Sequence, residues 1–206
     1  MEDIDKACYL VKFGATKTDS TINPIEKQKT AWHEAGHAIA RHYLFPDQTI
    51  DTISIIPSEE GALGFVATNK SETHVCLTKD SLLKELIVCL AGREAEKRTP
   101  GINEEDGINS GASSDLKRAT QLIYQAITTY GFDPDFGYAS LDGFPNDQIK
   151  SELSQAIHKR TNIILTEAHQ QTNEFLDDHS EALERLANEL YSRESIDGFN
   201  LNNYSN

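Results

Sequence analysis

The sequence predicts a mainly α-helical domain with one small β-sheet, and three observations predict it. Apolar residues recur at helical spacing in five stretches of the 206-residue chain, most clearly at Leu82, Leu86, Leu90 and at Ala119, Ile123, Ala126. β-branched residues concentrate in one short run, Thr49 to Ile56, with a second strand-like run shortly after it. Cap-forming Asn23 and Thr78, and the prolines, fall at the edges of these stretches rather than inside them.

In chain order, residues 1–22 show no strong period and read as a mobile N-terminal arm. Asn23-Pro24-Ile25-Glu26 opens the first helix: Asn at the cap, Pro in the first turn, Glu three residues after the cap. Pro46 marks its end. Thr49 to Ile56 reads as a strand ending at Pro57, Ser58 to Gly61 as a turn, and Ala62 to Thr68 as a second strand. Gly64 inside that strand marks either a bulge or close approach by another backbone. Thr78 caps a long helix to about Arg98, with Leu82, Leu83, Leu86, Ile87, Leu90 and Ala91 on its apolar face, stopped by Pro100-Gly101. Residues 99–112 form a polar loop. Ser113 or Ser114 caps the next helix through Tyr130, ended by Gly131. An amphipathic helix follows from about Asp147 to Phe175, carrying Leu153, Ile157, Ile164 and Ala168. Ser180 caps the last helix, with Leu183, Leu186 and Leu190. The domain is expected over 23–198, with a frayed tail at 199–206.

The chemistry concentrates in Thr30-Ala31-Trp32-His33-Glu34-Ala35-Gly36-His37-Ala38-Ile39-Ala40. Residues four apart on a helix share one face, so His33 and His37 can aim two imidazole nitrogens at one point. Zinc takes nitrogen ligands in a tetrahedral arrangement, and two from one turn suit it. Glu34, beside His33, is placed to take a proton from a water at the metal instead of ligating. A solvated helix with two surface histidines is the bland alternative. Trp32, Ala35, Ile39 and Tyr43 recur as an apolar face against it, and Gly36 offers backbone for close packing.

A hydrolytic zinc site needs a third protein ligand and one open position. Two carboxylates compete: Asp115, in the first turn of the helix after Ser113, and Glu96, near the end of the helix after Thr78. Spacing alone does not choose between them.

Composition narrows the function. A formal net charge of -14 argues against a nucleic-acid surface, which needs clustered Lys and Arg. Cys8, Cys76 and Cys89 are an odd number with no Cys-x-x-Cys spacing, as expected of ordinary thiols in a reducing, cytoplasmic compartment. The acidic start Met1-Glu2-Asp3-Ile4-Asp5 is unlike a secretory signal. No apolar run approaches the roughly 20 residues of a membrane helix, and there is no Gly-x-x-x-x-Gly-Lys-Ser/Thr loop for nucleotide phosphates.

Three separated motifs, Thr30 to Ala40, Leu90-Ala91-Gly92-Arg93 and Gly111-Ala112-Ser113-Ser114-Asp115-Leu116, together resemble the peptidase domain of the FtsH family of membrane-bound AAA zinc proteases. The resemblance runs from about Pro24 to Gly198 and takes in Ile53 to Pro57, Leu63-Gly64, Tyr130-Gly131-Phe132 and Glu181 to Leu186. It implies a zincin-like metallopeptidase fold in which His33, His37 and Asp115 hold Zn2+, Glu34 is the catalytic base and Glu96 orients a ligand. An extended polypeptide substrate would lie along Leu63, Gly64 and Phe65 as an added strand. The family's transmembrane segment and AAA ATPase have no counterpart in this sequence, and the loop from Thr99 to Ser110, with Glu104-Glu105-Asp106, is longer than usual. The resemblance therefore implies a separate AAA ATPase partner, or self-association into a ring, for any energy-driven unfolding. The alternative function is an adaptor that keeps the fold and binds a AAA protease or its substrates.

Overall fold

The computed structural model describes residues 23–57, 63–69, 77–103, 110–137, 140–143 and 147–198. The expected arm at 1–22, turn at 58–61 and tail at 199–206 lie outside these residues, as do Cys8, Cys76 and Glu104 to Asp106. Among the described residues the elements run α1 (Pro24–Leu44), β1 (Thr49–Ser54), β2 (Phe65–Asn69), α2 (Lys79–Glu96), a 3₁₀ turn (Ser110–Ala112), α3 (Ser113–Thr128), a 3₁₀ turn (Leu141–Gly143), α4 (Asp147–Asp178), α5 (Ser180–Arg193) and β3 (Ser195–Asp197). The chain is mainly helical with one small sheet, as the periodicity predicts.

Local sequence sets most of the boundaries. The Asn23 side chain accepts a hydrogen bond from the Ile25 N–H, and Pro24 follows at the first helical position, so α1 begins where an orphan donor is satisfied. Thr78 and Ser81 form a reciprocal capping box at the start of α2. Gly131 after α3 adopts a positive φ of 63°, and the Phe132 N–H reaches back to the Ala126 carbonyl across it, which ends that helix. α2 ends earlier, at Glu96, in tight turns that bond Arg98 N–H to the Ala95 carbonyl and Thr99 N–H to the Glu96 carbonyl.

Four expectations are corrected. α3 has no serine cap: Ala112 stands at the cap position, and the 3₁₀ turn from Ser110 winds directly into the helix. Ser180 is not a cap either. α4 continues to Asp178, His179 alone separates it from α5, and the His179 ring donates from Nδ1 to the Phe175 carbonyl at 2.8 Å, satisfying the end of α4. The second strand begins at Phe65, so Leu63 and Gly64 precede it. Finally, β3 was not foreseen. Only Ile196 in its three residues carries a strand signal, and the turn into it uses Glu194 at φ 63°, a conformation no glycine advertises.

The sheet has the order β2-β1-β3, with both pairs antiparallel; Ile53 lies opposite Val66 on one side and Ile196 on the other. Among the described residues two hydrophobic clusters form the interior. One joins α1, β1, α5 and β3 through Ile39, Ile53, Leu183, Leu186, Leu190 and Ile196. The other joins α2, α3 and α4 through Leu86, Leu90, Ile123, Ile127, Ile157 and Ala168. α2 belongs to both, giving Val88, Ala91 and Ala95 to the first and Leu82, Leu86, Cys89 and Leu90 to the second. Leu83, assigned to its apolar face from spacing, is 36% exposed.

The α1–α2 crossing is unusually close because of Gly36. A Cβ at that position would lie 2.5 Å from the Ala91 carbonyl oxygen and 2.7 Å from the Ala95 Cβ. Small residues on both helices therefore bring α1 down onto α2, and this fixes what lies under the two histidines.

Candidate metal centre

α1 is anchored from behind by Ala31, Trp32, Ala35, Ala38, Ile39 and Ala40, all buried, so the opposite stripe with His33 and His37 faces an open cleft. The two Nε2 atoms are 3.0 Å apart. Asp115, in the first turn of α3, brings Oδ2 to 3.4 Å from each of them. Ligand atoms on a tetrahedron with bonds of about 2.0–2.1 Å are separated by roughly 3.3–3.4 Å. The three atoms thus stand nearly at the edges such a metal requires, and two neutral nitrogens with one carboxylate oxygen are a donor set that fits zinc.

The far side of each ring is also held. His33 donates from Nδ1 to Glu96 Oε1 at 2.5 Å, and His37 donates from Nδ1 to the Val88 carbonyl at 2.8 Å. Both partners come from α2. These bonds turn both Nε2 atoms toward the cleft, the arrangement that orients a metal-ligating imidazole. Glu96 meets the ring on the side away from the Nε2 pair, which separates its role from that of Asp115. Sequence spacing could not see this difference, because it depends on which edge of one ring each carboxylate reaches.

The charges interact strongly. Burial pushes the His33 imidazole down, but hydrogen bonds to Asp115 and Glu96 and the nearby Glu34 charge outweigh it and raise its pKa to about 10. Burial would raise Asp115 too, yet the two imidazoles hold its carboxyl well below the usual carboxylate range. Glu34 is 5% exposed; burial raises its pKa, with both histidines pulling in the opposite direction.

Two glycines make room for this geometry. A Cβ on Gly92 would sit 2.5 Å from His37 Nε2 and 2.7 Å from His33 Cε1, so α2 must present bare backbone beneath the rings. A Cβ on Gly64 would sit 2.6 Å from Glu34 Oε1 and 2.8 Å from the Ser54 carbonyl oxygen. The close approach expected at Gly64 is therefore to Glu34 and to β1 within the fold. Spacing gives Gly92 no role of its own; the signal the sequence does carry is that a glycine in mid-helix costs about 1 kcal/mol against alanine.

The cleft, about 800 Å³, runs along α1. Glu26, Lys29 and Thr30 line it before the histidines and Arg41 after them; Leu63, Gly64, Phe65, Val66 and Thr68 contribute from the strand side, and Ser110, Gly111, Ser113, Ser114, Asp115 and Arg118 from the entry to α3. All the residues singled out from the sequence meet here: His33, Glu34, His37, Asp115 and Glu96 at the triangle, and Leu63, Gly64 and Phe65 on the wall. Of the remaining histidines, His179 stacks on Phe175 and His169 lies 3.2 Å from Glu94; neither joins the cluster.

A helix-borne histidine pair, a distant aspartate and a buried glutamate beside an open cleft are the parts of a metallopeptidase. Residues 20–203 match the family model described as Peptidase family M41, and the chain belongs to that family. It is 32% identical over 209 residues to the "ATP-dependent zinc metalloprotease FtsH" of Ruminiclostridium cellulolyticum, an alignment covering 96% of this chain and 33% of that protein. The protein of the same name from Thermus thermophilus is 32% identical over 204 residues, covering 95% of this chain and 32% of its own length. The one from Lachnoclostridium phytofermentans is 34% identical over 209 residues, covering 95% and 32%. The chain spans about a third of the length of these relatives.

Proposed function

We propose that this chain is a zinc metalloendopeptidase that hydrolyses peptide bonds in unfolded or flexible polypeptides. The observation that carries the reading is the triangle of His33 Nε2, His37 Nε2 and Asp115 Oδ2 beside a buried Glu34. His33, His37 and Asp115 hold the metal; Glu96 and the Val88 carbonyl aim the rings. When bound, zinc supplies Lewis acidity toward a water and the scissile carbonyl. Glu34 takes the proton from the attacking water, a task helped by the raised proton affinity that burial gives it, and passes it to the departing amine. Leu63, Gly64 and Phe65 flank the substrate backbone in extended form. The name ATP-dependent belongs to the relatives, and we assign unfolding of folded substrates to an ATPase acting with this domain, in a ring or from a separate chain. Among the described residues no helix is long and apolar enough to cross a membrane.

The purified chain should contain one zinc and cleave casein, and a chelator should abolish cleavage that added zinc restores. Asp115→Ala should weaken zinc binding on the order of 1000-fold, since it removes one of three ligands. Glu96→Ala should weaken it by about 10–100-fold, the usual loss for an outer partner. The reverse order in a zinc-competition assay would exchange the two roles; casein cleavage indifferent to chelator would end the metallopeptidase reading.

Metal uptake should also release protons. With its pKa raised to about 10, His33 is protonated at neutral pH when only protein groups surround it. Zinc and that proton compete for the same Nε2, so binding at pH 7.5 should release about one proton and weaken as pH falls. Calorimetry in two buffers of different ionisation enthalpy measures this; identical heats would mean that His33 is already neutral.

A further inference from the structure

The cleft continues past the ligand triangle, into a corner that neither metal binding nor proton transfer employs. Arg41 lies one turn beyond His37 on α1, and Arg118 lies three residues beyond Asp115 on α3; both line the cleft. They converge on Glu85 of α2, which is buried. Arg41 grips it with both terminal nitrogens, Nη1 to Oε1 at 2.5 Å and Nη2 to Oε2 at 3.1 Å, while its guanidinium stands 4.9 Å from the centre of the Phe45 ring. Arg118 Nη2 is 3.7 Å from Glu85 Oε2.

Two guanidinium charges thus share one carboxylate. The bidentate pair between Arg41 and Glu85 is sufficient to tie α1 to α2, and Arg41 is enclosed, its side chain 14% exposed. Arg118 is 56% exposed, and its long contact with Glu85 adds little to stability. Among the described residues the two guanidinium groups exceed Glu85 by one positive charge, and the exposed one, Arg118, stands on the same helix face as Asp115. The chain as a whole carries -14; of the other acidic groups that line the cleft, Glu34, Glu96 and Asp115 lie at the triangle and Glu26 lies at the far end of the cleft, before the histidines.

We propose that Arg118 determines substrate specificity by receiving the side-chain carboxylate of an Asp or Glu in the peptide, one or two residues from the scissile bond. Arg118 follows Asp115 by three residues on α3, about 4.5 Å of helix rise, a step comparable to the roughly 3.3 Å that an extended peptide advances per residue. Arg41 and Glu85 are positioning residues, since their pair braces the corner from which Arg118 reaches out. The proposal rests on the peptidase reading above for the scissile bond.

The test uses the full chain with zinc and Glu34→Gln as the cleavage-dead background, so that binding is read apart from catalysis. Rhodamine-labelled peptides with amidated C-termini, differing only in Asp against Asn at positions scanned along the sequence, are titrated by fluorescence anisotropy. The Asp peptide should bind about five- to tenfold more tightly at one or two adjacent positions. Adding Arg118→Gln should erase that difference, Arg118→Lys should keep part of it, and Arg118→Glu should turn the preference toward Lys. Casein fragments from the enzyme with its native Glu34, mapped by mass spectrometry, should show Asp or Glu enriched at the same offset from the cut, and Arg118→Gln should disperse them. Equal binding of Asp and Asn peptides, or a preference that survives Arg118→Glu, overturns the proposal. An intact Asp preference without any casein cleavage by the native-Glu34 enzyme instead overturns the peptidase reading and leaves Arg118 as the carboxylate site.

Discussion

Glu34→Gln should leave zinc content unchanged and reduce casein cleavage by about 10²–10⁴-fold, the usual contribution of a positioned general base. The amide has the shape of the carboxyl group and fits beneath Gly64 as the acid does, but it cannot accept the water's proton. The fold should not suffer. Burial already disfavours the charged form of Glu34, so a neutral side chain relieves a cost, and the thermal midpoint should hold or rise. Cleavage at the wild-type rate by a zinc-loaded Glu34→Gln protein would remove Glu34 from the mechanism.

Gly92→Ala opposes two physical rules. Helix propensity alone says that alanine in mid-α2 should stabilise by about 1 kcal/mol. The site proposed above says otherwise, because the new methyl would lie 2.5 Å from His37 Nε2, the atom assigned to the metal. The rings cannot simply tilt away, since Glu96 and the Val88 carbonyl hold their other edges. We expect a helical, folded protein by circular dichroism with zinc affinity reduced by at least about 100-fold, and cleavage lost with it. Full zinc occupancy and full activity would show that the imidazoles have slack the geometry does not reveal.

The residues that were legible in the sequence are those whose partners lie within a turn or two. The His33–His37 pair, the Asn23 and Thr78 caps and the stop at Gly131 all follow from spacing of three to five residues. Glu34 and Gly36 belong to the same group: one turn of helix gives the first its place beside His33, and the absence of a side chain gives the second its use. Asp115 and Glu96 could not be separated that way, for they reach His33 from 82 and 63 positions along the chain and differ only in the ring edge they meet. β3 was hidden because three residues hold too little pattern, and its pairing to β1 bridges 145 positions between Thr52 and Asp197. The end of α4 was misplaced for a related reason: its periodicity continues into α5 and a single histidine interrupts it.

α2 is built into two interiors at once, and everything that steadies the imidazoles from below (the Val88 carbonyl, the bare backbone of Gly92, the Glu96 carboxyl) hangs from it. A beam clamped along both flanks neither slides nor pivots without tearing one of them. The opposite bank has no such double anchorage: β2 is the outer strand of the sheet, Phe65 to Thr68 in it are half-buried, and Leu63 just before it is exposed. In the peptidase proposed above, any give needed to seat a peptide would fall to that outer strand and not to the floor.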